Sequence, residues 1–419
     1  MTTSAEASRW PLAYVAGTFP LLSETFVYRE VRGLRQRGWS VTAVSLNPAA
    51  AVRELEDLER DRVVVYGPEI RSTLLGAARE LPAHPIRSMM TLGTAIGDAI
   101  WPGERLSVSG RLKLPMQAIA GMGLAGRLRQ RGVRHVHCHF AHAPTSVGMY
   151  AAMQMGIPFS FTGHANDIFQ RRAILKTKLR RARFVACISR WHQSFYNTKC
   201  ADMVNKYEVI RCGVEAGEAK ELSPGDGQLR ILTVCRLVEK KGIDTLIGAA
   251  AELNRRGIHL RLTIAGEGPD RQRLEKLAAE LGCGQWLAWL GAVANSRVFS
   301  LLKEADVLAL PCREDSRGDR DGIPVVLMEA MASGTPVVAG NLPAIGELVE
   351  DGVSGLLVEG NKPAALADKL AMLWANPDLS GRLAEEGRRR IATEFSLGTT
   401  LDLLERRFVA GQNLRESRN

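Results

Sequence analysis

The sequence predicts an α/β protein of two successive domains, each built on a parallel sheet with helices on both faces, and three observations carry that prediction. Short β-branched runs alternate with longer amphipathic ones along the chain, the pattern of strand–helix–strand units. At 419 residues the chain exceeds one ordinary hydrophobic core, so two domains are expected. The alternation breaks at Ser223-Pro224-Gly225-Asp226-Gly227, a turn-rich joint, and restarts beyond it.

Taken in order, residues 12–16 read as the first strand and Gly17-Thr18-Phe19-Pro20 as a loop. Ser23 is expected to cap a helix whose apolar positions Val27, Val31 and Leu34 recur at helical spacing, and Gly38 to end it. Further strands are expected over 41–46, 63–66, 133–137, 159–162 and 184–188. Between about 70 and 127 lie two mildly apolar segments, 88–101 and 114–126, flanked by Arg87, Arg105, Arg111, Lys113 and Arg127. They read either as core or interdomain helices, or as helices lying on a membrane surface with basic flanks on lipid phosphates. In the second half, strands are expected over 229–235, 260–265, 286–290, 307–310, 336–339 and 355–358, each followed by a helical pattern. The expected domains are 1–215 and 216–393, with a last helix at about 394–412 packing back on the first.

Composition narrows the class. Hydrophobic residues make up 46% and charged residues 24%, which suits a globular chain and excludes a disordered or fibrous one. The Met-Thr-Thr-Ser start has no signal-peptide character, and no apolar run reaches the roughly 20 residues of a spanning helix, so a cytoplasmic protein is expected. The seven cysteines form no CxxC pair and read as buried reduced thiols, with neither a disulfide frame nor a metal site expected. His135, His137 and His139 share one face of a strand, with His142 beyond; a packed strand is preferred to a metal site there.

Charge is unevenly spread. Residues 1–215 hold 29 Lys and Arg against 16 Asp and Glu, a net of +13, whereas residues 216–419 hold 26 against 29. The excess fits an anionic partner, such as a membrane surface carrying an anionic acceptor, and equally a solvated basic face. No nucleic-acid-binding signature accompanies it, so nucleic acid is not an expected partner.

The chemistry concentrates in Asp321-Gly-Ile-Pro-Val-Val-Leu-Met-Glu329-Ala-Met-Ala-Ser-Gly-Thr-Pro-Val-Val. Gly322 and Pro324 are expected to open a helix that Ser333-Gly334 closes. Its first-turn N–H groups would attract a diphosphate, and the two acids would stand about 12 Å apart along the axis. Arg236 and Lys241, just after the first strand of the second half, are cations suited to two phosphates.

These segments resemble glycosyltransferase family 4, a group of GT-B enzymes whose hallmark is Glu-x7-Glu followed by Ala-Met-Ala-x-Gly-x-Pro-Val-Val. Asp321 replaces the first Glu, and Ile323-Pro324 stands where the family has Phe-Gly. The stretch from Leu342 to Val358 also resembles the family. Gly17-Thr18-Phe19-Pro20-Leu-Leu-Ser-Glu24-Thr-Phe-Val, Phe161-Thr-Gly-His164-Ala-Asn-Asp167-Ile-Phe and Arg317-Gly-Asp-Arg-Asp321-Gly-Ile-Pro resemble its bacterial exopolysaccharide branch, including the colanic-acid-type transferases.

The resemblance implies two Rossmann-like domains facing each other across a central cleft, and transfer of a sugar from a UDP- or GDP-sugar to a hydroxyl with retention of anomeric configuration. It gives the diphosphate to Arg236, Lys241 and the amides of Val325 and Val326, with Gly322 beside them. Glu329 would hold the ribose, and His164 with Asp321 the donor sugar. Gly17, Gly266 and Gly268 would line the nucleotide sugar, and Asp167 would hold acceptor or sugar. No bound cofactor or metal is implied. The favoured acceptor is a lipid-linked oligosaccharide at the inner membrane face, where the protein would be peripheral. The alternatives are a small soluble acceptor such as a secondary metabolite, or a non-catalytic GT-B partner subunit.

Overall fold

The computed structural model describes residues 9–21, 24–49, 55–59, 62–165, 167, 173–215, 217, 220 and 227–416. The expected cap Ser23 and the joint residues 223–226 lie outside them. Two units separate: one combines Met1–Arg211 with Thr400–Asn419, the other is Cys212–Thr399.

The first unit holds seven parallel strands: β1 (Leu12–Thr18), β2 (Val41–Asn47), β3 (Val63–Val64), β4 (His135–His139), β5 (Phe159–Gly163), β6 (Val185–Cys187) and β7 (Tyr207–Val209). They lie in the order β3-β2-β1-β4-β5-β6-β7. Leu12 faces Val41 on one side and His135 on the other. Both neighbours are thus fixed by one strand whose first five residues are buried, as parallel sheets covered on both faces require.

In the second unit, β8 (Leu229–Val234), β9 (Leu260–Ala265), β10 (Leu287–Gly291), β11 (Val307–Leu310), β12 (Val337–Gly340) and β13 (Leu356–Val358) are ordered β10-β9-β8-β11-β12-β13. Both sheets repeat the doubly wound order, which reverses between β1 and β4 and again between β8 and β11. Ligands of such sheets bind beyond the carboxyl ends of the strands at that reversal.

Two strands depart from the sequence reading. β4 starts and ends two residues later than expected and carries the three histidines expected in a packed strand, all of them buried. His135 Nε2 and His137 Nδ1 each lie 2.7 Å from Ser160 Oγ, and His137 Nε2 lies 3.0 Å from Thr162 Oγ1. β7, Tyr207–Val209, has no counterpart in the sequence reading: Glu208 at its centre and Lys206 and Arg211 at its flanks break up the apolar run.

Residues 70–130 form three helices, Ile70–Ala83, Pro85–Ile100 and Val108–Gln130, which pack on one another and on Ala143–Met155. The last helix, Leu397–Glu416, enters the first unit from Thr400 onward. Its Leu401, Leu404 and Phe408 are buried, and the Phe408 ring lies 5.3–6.4 Å from those of Tyr14, Trp39, His135, His137 and Phe184. Arg37 bonds Asp402 at 2.6 Å, and Trp39 Nε1 donates to Glu405 at 2.6 Å.

Candidate active site

In the second unit the expected residues gather around the reversal between β8 and β11. β8 ends at Val234, and the chain turns through Arg236 into a short 3-10 turn, Glu239–Lys241, before the helix Ile243–Arg255. Two glycines hold that turn close. Gly266 has a φ of +136° and a Cβ there would fall on Cys235 O; a Cβ on Gly268 would fall on Leu237 O. Leu237 N–H donates to Glu267 O at 3.0 Å, lacing the Gly266–Gly268 segment to the Arg236 loop. Those glycines are therefore explained by backbone approach, which positions the exposed Arg236.

Beyond β11, the loop is tied to the same turn: Arg313 N–H donates to Lys240 O at 2.9 Å, and Ser316 N–H donates to Glu239 Oε1 at 3.1 Å. This brings Asp321 onto the two lysines. Lys241 Nζ lies 2.7 Å from Asp321 Oδ2, and Lys240 Nζ lies 3.3 Å from Oδ1. Lys240 also meets Asp319 at 2.9 Å. Burial opposes ionisation of Asp321, but the two ammonium groups outweigh it and hold the carboxyl below its usual range. Burial likewise works against the Lys241 charge; Asp321 overcomes it and raises the ammonium above its ordinary value. The Cys312 thiol donates to Asp321 at 3.2 Å, and burial followed by the carboxylate charge pushes its pKa well up, so it is a protonated donor rather than a nucleophile.

The helix of the acidic motif begins later than its sequence suggests. It spans Val325–Ala332, with Pro324 as N-cap in extended conformation and Leu327 N–H donating to Pro324 O at 3.1 Å. The reason is steric: proline disfavours helical backbone in the residue before it, so Gly322 and Ile323 stay outside. Asp321 therefore stands in the preceding loop, and the helical 12 Å separation from Glu329 does not apply. The missing Pro324 N–H costs nothing at a cap, and the Val325 and Val326 amides occupy the first turn, which has no intrahelical acceptors. Glu329 is buried and accepts from Asn295 Nδ2 at 3.3 Å. Gly322 is buried beside Asp321.

His164 and Gly17 belong to the first unit. Gly17 is the penultimate residue of β1, and its carbonyl accepts from Asn47 Nδ2 at 3.0 Å. His164 follows β5, almost wholly buried between Phe26 and Phe140 at ring distances of 4.6 and 4.5 Å. Burial first, then the His139 and His192 imidazoles, keep it well below its usual pKa, so it is neutral. Its Nε2 lies 3.2 Å from His139 Nδ1, and His139 Nε2 lies 3.2 Å from Glu30 Oε2. With Glu30 as acceptor, His139 donates through Nε2 and accepts through Nδ1. His164 then donates through Nε2 and keeps Nδ1 as an acceptor. Neither Glu30 nor this chain of contacts was legible, because Glu30 lies in an ordinary-looking helix far from β4.

Asp167 Oδ2 accepts the His164 N–H at 2.8 Å. Burial raises Asp167 to about 7; burial and then the Asp167 charge raise Glu24 to about 7 as well. Glu30, His137 and His139 also place three possible ligand atoms within 4.8 Å of one another. Both His137 nitrogens are engaged by Ser160 and Thr162, so hydrogen bonding accounts for the cluster.

Two doubly wound units, one with a cation–acid cluster at its strand reversal, define an α/β protein of two parallel sheets, and the comparisons give its family. Residues 217–390 match the family described as "Glycosyl transferases group 1", and residues 23–218 match "Glycosyltransferase Family 4". A Salmonella typhimurium protein named a colanic acid biosynthesis glycosyltransferase, WcaL, is 30% identical over 90% of this chain and 94% of its own. The amylovoran biosynthesis glycosyltransferase AmsK of Erwinia amylovora is 28% identical over 92% and 96%. Among solved structures, Anabaena HepE in complex with UDP and glucose aligns with a TM-score of 0.68 at 15% identity, covering 96% of this chain and all of that one. Sucrose-phosphate synthase from Thermosynechococcus elongatus aligns at 0.69 and 18%, with the same coverage of both chains. The chain belongs to glycosyltransferase family 4. It is a glycosyltransferase with the GT-B fold.

Proposed function

We propose that this enzyme transfers a sugar from a nucleoside-diphosphate sugar to a hydroxyl of a lipid-linked glycan, with retention, working peripherally on the cytoplasmic face of a membrane. The observation that carries the donor half is the Lys240–Lys241–Asp319–Asp321 cluster at the β8–β11 reversal, with the Val325 helix N-terminus following in the chain. A diphosphate competes with Asp321 for Lys241. Lys241 and Arg236 then neutralise the phosphates with the Val325 and Val326 amides, and Asp321 is released toward sugar hydroxyls. Glu329 holds the ribose, and neutral His164 offers Nδ1 to a donor-sugar hydroxyl. The departing phosphate oxygen accepts the acceptor hydroxyl's proton as the C–O bond to the nucleotide breaks and the new glycosidic bond forms on the same face. No protein carboxylate serves as nucleophile, so the acid pair is not that of a retaining hydrolase.

The exopolysaccharide relatives support the choice of a glycan acceptor. UDP and UDP-glucose in the HepE complexes support a nucleotide-sugar donor. Incubating the full chain with a panel of UDP- and GDP-sugars, with and without membrane extract, tests both halves. Glycosylated lipid is the expected product. A soluble product alone overturns the acceptor, and the absence of binding or turnover with every donor overturns the whole reading.

A further inference from the structure

Helix Pro85–Ile100 has its polarity reversed. Its buried positions are Ser88, Thr91, Ala95 and Asp98, at helical spacing and mostly polar. Ser88 donates to Glu80 O at 3.1 Å, Thr91 donates to Gln154 Oε1 at 3.1 Å, and Asp98 receives Arg181 at 2.7 and 2.9 Å. The other face carries Ile86, Met89, Met90, Ile96 and Ile100, which are 50–74% exposed. A helix facing water shows the opposite arrangement.

Its neighbours extend the same character. Val108, Leu112, Met116 and Ile119 recur at helical spacing on Val108–Gln130 and are exposed, as are Ile70 and Leu74 on Ile70–Ala83. Ile70, Leu74, Met116 and Ile119 line one groove of about 410 Å³. Of nineteen exposed large apolar side chains among the described residues, fourteen fall between residues 70 and 119, so the exposure is a feature of this layer and not of the surface at large.

Charge then selects the partner. The exposed charged residues of the stretch are Arg71, Arg79, Arg87, Arg105 and Lys113, all cationic. Its three acids are turned to other work: Glu80 pairs with Arg129, Asp98 with Arg181, and Glu104 accepts the Leu175 N–H at 2.6 Å. A second copy of this chain meeting the face about a two-fold axis would set these cations against their own images.

We propose that the 70–119 layer docks in the plane of an anionic phospholipid bilayer, its apolar side chains at the headgroup–acyl boundary and its cations on lipid phosphates. No helix among the described residues is long and apolar enough to cross a membrane, so the contact is one of a face and not of a span. The inference rests on the peripheral-membrane part of the reading above and names its surface; vesicle binding, read without donor, fails or holds separately from the transfer chemistry.

Flotation of the full chain with phosphatidylglycerol/phosphatidylcholine vesicles, beside pure phosphatidylcholine vesicles, tests it. Binding to the anionic vesicles is expected, weakening as salt rises. The triple variant Arg71→Gln, Arg105→Gln, Lys113→Gln should weaken binding about a hundredfold, at about fivefold per cation. Met89→Asp with Met90→Asp should weaken it at least about tenfold. Trp101→Ser, at a 78% exposed position outside the helices, gives an apolar variant without any helix change. All should keep the parent melting temperature. Absent binding of the parent to anionic vesicles overturns the proposal. So does equal binding by the well-folded variants, or a dimer in sedimentation that the Met89 and Met90 changes abolish while vesicle binding persists unchanged.

Discussion

Lys241 and Asp321 are each other's counter-ion, and Lys240 backs the same carboxylate, which makes the replacements of the two lysines unequal. On the proposed reading Lys241→Ala removes a diphosphate-binding cation, and it leaves Asp321 with Lys240 as its one ammonium partner; a loss of about a hundredfold in kcat/KM is expected in donor turnover assays. Lys240→Ala leaves the shorter Lys241 contact intact and should cost much less. Equal losses would refute the division of labour. Glu24 supplies a second test, through pH. Its carboxyl is raised from 4.5 to about 7, so it favours the folded state below about 4.5, and that contribution disappears as pH climbs through 7. Glu24→Gln should therefore stabilise the protein at pH 8 by on the order of 2 kcal/mol and change it little at pH 4.5, read from denaturant midpoints at the two pH values. The acidic motif stood out as charge in an apolar, turn-bounded run and Lys241 as a cation after a strand, whereas the contacts of Lys240 with Asp319 and Asp321 left no mark in the sequence. The Glu30–His139–His164 contacts were not, since pairing between helix and strand leaves no mark in local spacing.

At the level of elements, what the sequence announced was the alternation of strands and helices. What it hid was where a polar residue becomes core. The packed strand of histidines was legible, but not that Ser160 and Thr162 hydroxyls on the neighbouring strand meet His135 and His137, and the Pro85–Ile100 helix was obscure because its inner face is polar. The late start of Val325–Ala332 follows from one proline acting as a cap. Gly268 tests the loop that presents Arg236. Gly268→Ala drives a methyl group onto Leu237 O, and overpacking of this kind costs about 1–3 kcal/mol. A lowered unfolding midpoint together with a raised donor KM is expected; an unchanged KM would detach that loop from donor binding.

On the scale of the whole molecule, two units repeat one sheet order, yet the chain visits the first unit twice. Phe408 sits at 0% exposure against five rings contributed by β1, β4 and the segments before β2 and before β6. Phe408→Ala should lower the stability of the first unit by about 3–5 kcal/mol. Hydrogen exchange should register the loss in β1 and β4 and leave β8 and β9 protected as before. Loss of protection in both sheets alike would show that the units do not unfold separately.

That return has a consequence for biosynthesis. Leu401, Leu404 and Phe408 are the last large pieces of a core whose other parts emerged from the ribosome first. At translation rates of about 5–20 residues per second, the early sheet waits on the order of ten seconds or longer for them. The hydrophobic floor of β1 and β4 is open throughout that interval, while the later unit can close around its own strands at once. A nascent chain stalled before residue 400 is thus a natural client for a chaperone, and the final helix is the latch that discharges it.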